Sequence, residues 1–318
     1  MSIRVGSVVW LFTEPAHNPP YEDAIKTLGE LGFDGVELIL RDFHDAGVPG
    51  AYWSPERVRN IRSMLDGYNM KLSQMAMFQN VTAGFASLDP AEQAHSIEYF
   101  RYACDICAGL GGDAVNFVSP WPTVITAPND YIPEYYYINV PGVDPRLRAL
   151  QTFQTKMHFN FPVPFDWERY WENHVSVIRR ITEIAATYGF RVAIENHANT
   201  MTPHTDSLLN LFDAVGMDNL GVNFDTVWAY LQREYLPWAV HRFGKARLFN
   251  LHMRDGDGLA AYNLPVGFGN TDWAALISAL KAIDYDGFVD LEWAHDSRAR
   301  ENAKNGLAYL RHLIDTVE

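Results

Sequence analysis

Cysteine is nearly absent: the 318 residues hold two, Cys104 and Cys107, both in YACDICAGLG. With no second pair there is no thiolate zinc site, and with so few cysteines there is no disulfide framework. The pair lies deep inside a helical pattern, whereas a redox CxxC opens a helix, so both are expected to be buried structural thiols. Positive charge is also scarce. The chain carries 25 Lys and Arg against 39 Asp and Glu, a net charge of −14 with no local basic stripe, and such a surface repels a phosphate backbone. A nucleic acid partner is therefore not expected. Long apolar runs are missing too. The opening MSIRVGSVVWLFTEP has only a few apolar residues before Glu14, too few for a signal peptide, and no stretch approaches membrane-spanning length. No membrane association and a cytoplasmic location are the expectation. No glycine-rich dinucleotide fingerprint follows the first apolar run, which argues against a doubly wound nucleotide-binding sheet.

What the chain does have is alternation on a larger scale. Hydrophobic residues make up 48% of it and charged residues 20%, as in a globular protein with a large core. Short β-rich runs recur at 4–10, 35–40, 71–78, 114–120, 191–197, 220–226, 246–255 and 287–293. Between them lie amphipathic segments such as SPERVRNIRSMLDGYN, DWERYWENHVSVIRRITEIAATYG and TDWAALISALKAI, several with a Ser, Thr or Asp cap at the start and a Gly near the end. Strands this apolar are covered on both faces, and eight of them alternating with helices predict an α/β fold, a parallel (β/α)8 TIM barrel in one domain spanning 1–318. One connection breaks the rhythm. From Trp121 to Phe165 the chain runs through an aromatic and proline-rich stretch far longer than an ordinary βα loop, read as an inserted lid or wall after strand 4, or as an oligomer interface.

Four of the last strand runs end in polar groups that can ligate a metal: Glu195 in AIENH, Asp225 in VNFDT, His252 in FNLHM and Glu292 in VDLEW. A single buried carboxylate at a strand end is satisfied by a nearby Arg or Lys. Four such ends around one barrel rim can instead converge on a common point. Three carboxylates and one imidazole form an oxygen-rich set suited to Mn²⁺ first, with Mg²⁺, Co²⁺ and Zn²⁺ as alternatives.

These residues, with GFDGVEL around Glu37, HMRD after the seventh strand and VGFGNTDWAALISALKAIDYDGFVDLEW, resemble the sugar phosphate isomerase/epimerase family with its xylose isomerase-like barrel. The resemblance implies that Glu195, Asp225, His252 and Glu292 hold the metal, and that Glu195 and Glu292 also exchange protons with a sugar substrate. The implied chemistry is deprotonation beside a carbonyl, which leads to epimerisation, isomerisation or elimination. Where the epimerases place a histidine three residues after the metal-binding aspartate, this chain has Trp228. That departure and the aromatic insertion favour a pocket for a sugar bearing a flat group, as in the large subunits of bacterial C-glycoside deglycosidases, which work with a small second subunit. The expected activity is thus a metal-dependent lyase acting on a 3-oxo-glycoside, with a ketose 3-epimerase or sugar isomerase as the alternative. His197 shares a strand face with Glu195 and is read as a proton carrier or a substrate hydrogen bond. Trp228, Glu37 and Arg254 are read as substrate contacts; Arg254 or Asp255 is read as orienting the substrate or His252, and His17 and His295 are weaker candidates.

Overall fold

Strands apolar on both faces need cover on both sides, and this chain supplies it by closing its sheet on itself. The computed structural model describes residues 3–41, 52–122, 124, 162–198, 200–256, 264–293 and 297–318. Eight parallel strands form a closed barrel in chain order: β1 (Arg4–Val8), β2 (Gly35–Leu40), β3 (Lys71–Met77), β4 (Ala114–Val118), β5 (Arg191–Glu195), β6 (Leu220–Asp225), β7 (Leu248–Met253) and β8 (Phe288–Leu291). The ring shuts where β1 pairs with β8, from Arg4 opposite Phe288 to Ser7 opposite Leu291. All eight strands stand where the sequence places them, and most are a few residues shorter than their apolar runs.

The longer helices that cover the barrel are α1 (Glu22–Leu31), α2 (Pro55–Gly67), α3 (Pro90–Leu110), α4 (Trp167–Tyr188), α5 (Thr205–Val215), α6 (Leu236–Arg247), α7 (Trp273–Ala282) and α8 (Ala299–Thr316). Their ends follow the capping chemistry of the sequence. Ser54, Asp89, Asp166 and Asp272 accept backbone N–H bonds at the starts of α2, α3, α4 and α7. Gly32 and Gly189 end α1 and α4 with φ of 87° and 73°, a conformation that costs other residues energy. Cys104 and Cys107 are buried and unpaired on α3, where burial pushes both thiols up to about 12, so neither is a nucleophile near neutral pH.

The inside of the barrel is unusually polar below its C-terminal rim. Asp290 of β8 is fully buried, accepts a 2.8 Å hydrogen bond from Asn250 Nδ2 and lies across Gly6 of β1. A Cβ at residue 6 would stand 1.9 Å from Asp290 Oδ1, so the glycine is required by the carboxylate. The insertion expected over 121–165 lies almost wholly outside the described residues, as does His295. No helix among the described residues is long and apolar enough to cross a membrane.

Candidate functional site

Parallel strands in register deliver their C-terminal residues to one rim. Glu195 is the last residue of β5 and Asp225 the last of β6; Asp225 lies opposite His252 of β7, and Glu292 follows the last residue of β8. The four side chains are buried, and each offers one ligand atom such that all lie within 4.8 Å of one another. Hard divalent cations take oxygen ligands at about 2.0–2.6 Å, so ligand atoms around one ion lie no more than about 4–5 Å apart, a limit this group meets.

The contacts among these residues are those of a crowded acidic pocket. His252 Nδ1 lies 3.1 Å from Glu195 Oε2 and 2.7 Å from Glu292 Oε2. Neither His252 Nδ1 nor Glu292 Oε2 has a partner in hydrogen-bond alignment. Burial opposes a charge on His252, yet Glu37, Glu292 and Glu195 outweigh it and raise the imidazole well above its usual value. Burial lifts the Asp225 carboxyl to about 7 against the pull of Arg254, with Glu195 and Glu292 adding to the rise. Burial would lift Glu292 as well, but the charges of Arg254 and His252 hold it well below the usual carboxylate range. Among the described residues, three close carboxylates are paired with Arg254 and His252 and are short of positive charge, and misaligned buried ligand atoms face one point. The donor set therefore fits a divalent cation.

Neighbouring residues fix these groups. Asn196 clamps the end of β6, donating to Asp225 O at 3.0 Å and accepting from Asp225 N at 2.8 Å. Asn223 Nδ2 donates to Glu195 Oε2 at 3.2 Å, and Trp10 Nε1 donates to Glu292 Oε1 at 3.1 Å. Sequence reasoning missed all three. Asn223, Asn250 and Asp290 each stand two residues before Asp225, His252 and Glu292, so the strand period already placed them on the same inward face.

Above the cluster opens a cavity of 320 Å³. Glu195, His197, His252, Arg254 and Glu292 line its polar side, and Trp10, Ile39, Met77 and Phe78 its apolar wall. His17 also lines it, stacked on Trp10 at 5.3 Å between ring centroids, and burial pushes its imidazole down to about 4.

The structure places the other residues named from the sequence as follows. Trp228 does not line the cavity; it is fully buried, its ring 4.1 Å from that of His197, in a small apolar cluster with Val227. The reason is local: Asp225 Oδ1 accepts from Val227 N at 2.9 Å and Trp228 N at 3.2 Å, capping a helical turn at Thr226–Leu231 that carries the indole away from the opening. His197 reaches the cavity; burial pushes its imidazole down to about 4 and its Nδ1 lies 3.0 Å from Ala198 O, so near neutral pH the ring is neutral and can offer a hydrogen bond. Arg254 touches the lining, yet its guanidinium bonds Asp225 and lies 3.5 Å from Glu292, so its charge is spent on the acidic cluster. Glu37 borders the cavity but is fully buried and engaged by Gln74, Asn116 and His252. Asp255 holds the loop after β7 together, accepting from Gly267 N at 2.9 Å and Trp273 Nε1 at 2.9 Å.

The chain is 23% identical over 276 residues to the uncharacterized protein MJ1311 of Methanocaldococcus jannaschii, covering 85% of this chain and 78% of that one. It is 24% identical over 294 residues to an L-ribulose 3-epimerase of Methylomonas sp., covering 91% and 84%. A crystal structure of D-psicose 3-epimerase with D-tagatose, from Clostridium cellulolyticum H10, superposes with a TM-score of 0.73 over 98% of this chain and 99% of that one, at 15% identity. That likeness is one of fold. Residues 25–313 match the model of the xylose isomerase-like TIM barrel family, and with its closed eight-stranded barrel the chain belongs to that family.

Proposed function

We propose that the protein is a divalent-metal-dependent sugar enzyme that moves a proton at the carbon beside a ketose carbonyl, with 3-epimerisation as the outcome. The observation that carries this reading is the placement of Glu195 and Glu292. They come from different strands, both approach His252 Nδ1, and both line the cavity. Glu195, Asp225, His252 and Glu292 would hold the cation. When bound it supplies Lewis-acid polarisation of a substrate carbonyl. Glu292, oriented by Trp10 and lining the cavity, is placed to take the proton, and Glu195, oriented by Asn223, to return one from the other side. Neutral His197 presents a hydrogen bond to a sugar hydroxyl, while Trp10 and Phe78 give the ring or chain an apolar wall that limits water.

The similarity to an L-ribulose 3-epimerase supports this outcome over elimination. The lyase reading leaned on Trp228 as an aromatic face for an aglycone, and Trp228 is packed behind His197. Its other support, the insertion, lies almost wholly outside the described residues. The test is incubation of the purified, Mn²⁺-supplied protein with L-ribulose, D-tagatose and D-fructose in D₂O. Interconversion of C3 epimers with deuterium entering at C3 is expected. Inert ketoses together with release of the aromatic group from a 3-oxo-glycoside would overturn epimerisation in favour of the lyase.

A further inference from the structure

Glu37 stands on β2, across the barrel from the strands that carry the acidic cluster, and the sequence offers it as a substrate contact. Its carboxylate is also held by protein side chains. Oε2 lies 2.7 Å from His252 Nε2 and accepts from Gln74 Nε2 at 2.7 Å, while Oε1 accepts from Asn116 Nδ2 at 3.3 Å. The carboxylate is fully buried, so both of its oxygens are committed to protein donors. The two amides accept a cost to do this: Gln74 Oε1 and Asn116 Oδ1 are buried without a partner. Their NH₂ groups are turned toward the Glu37 oxygens.

We propose that Glu37 is a positioning residue that acts through His252. A carboxylate accepting at Nε2 keeps a proton on that nitrogen and leaves Nδ1 as the ligating one. Nδ1 is also the nitrogen that faces Glu195 and Glu292. Glu37 thereby sets the tautomer and the ring plane of the single imidazole in the cluster, and its negative charge makes that imidazole a stronger donor. Gln74 and Asn116 hold Glu37 in turn. The inference rests on the reading that the cluster holds a divalent cation.

Two measurements test it. In the unmodified chain labelled with ¹⁵N-histidine and loaded with diamagnetic Zn²⁺, long-range ¹H–¹⁵N spectra should show His252 with its proton on Nε2 and the metal on Nδ1; the opposite assignment overturns the proposal without any variant having to fold. In Glu37→Gln, calorimetric titration with Mn²⁺ should show affinity weakened about 10–100-fold. An unchanged Mn²⁺ affinity combined with a raised KM for the ketose would make Glu37 a substrate contact and overturn its positioning role, while leaving the proposed reaction standing. Failure of the unmodified chain to take up either metal would remove the metal-dependent reaction and the role of Glu37 together.

Discussion

His174 offers a quantitative test of how α4 is docked on the barrel. The imidazole is fully buried, its Nδ1 bonds Phe85 O at 2.9 Å, and its Nε2 has no partner. Burial therefore pushes it down to about 4, from 6.5 in an unfolded chain. The sign follows from proton uptake. Below pH 6.5 the unfolded chain gains a proton that the folded chain refuses until about pH 4, so stability is fully present above pH 6.5 and is lost as pH falls toward 4. At 1.36 kcal/mol per unit, the loss assigned to this residue is about 2 kcal/mol by pH 5 and approaches about 3 kcal/mol well below pH 4. The assay is urea unfolding followed by tryptophan fluorescence at pH 8 and pH 5, with chelator present, for the unmodified chain and for His174→Asn. Asparagine keeps a donor near Phe85 O and does not titrate. Other groups contribute to both chains and cancel in the difference. The drop from pH 8 to pH 5 should be about 2 kcal/mol smaller in the variant. Equal drops in the two chains would refute the reasoning and mean that His174 gains its proton without cost.

Gly6→Ala forces a methyl into the Asp290 carboxylate and should destabilise the fold by about 1–3 kcal/mol, measured as a lower urea midpoint at unchanged slope. Asn196→Ala removes both bonds that hold the end of β6; it should cost about 2 kcal/mol of stability and weaken Mn²⁺ binding in titration calorimetry, because Asp225 loses its anchor. Glu292→Gln keeps the shape and an acceptor for Trp10 Nε1 but not the charge. Circular dichroism should be unchanged while turnover of the ketose falls about 10²–10⁴-fold, and full turnover would show that Glu292 moves no proton.

Much of the site was legible before any coordinates. A single carboxylate or imidazole at the end of an apolar strand run is explained by an ordinary ion pair, but four at successive strand ends of one barrel rim are not. The strand period would also have shown Asn223, Asn250 and Asp290 on the same inward face, had residues two before each ligand been read. The position of Trp228 in the sequence, three residues after Asp225, does not reveal the helical turn that the Asp225 carboxylate itself caps. His197 was correctly placed on the face of Glu195, yet its ionisation depended on burial, which strand alternation does not measure.

By itself the sequence determined the eight strands, the caps of their covering helices and the identity of the groups at four strand ends, because these depend on local periodicity and on residues near one another in the chain. The tertiary structure alone decided that Glu37 meets His252, 215 residues away, that Gly6 makes room for Asp290, and that Trp228 faces inward. Such meetings follow from barrel closure and strand register, which bring distant residues together through many weak pairings that no single stretch encodes.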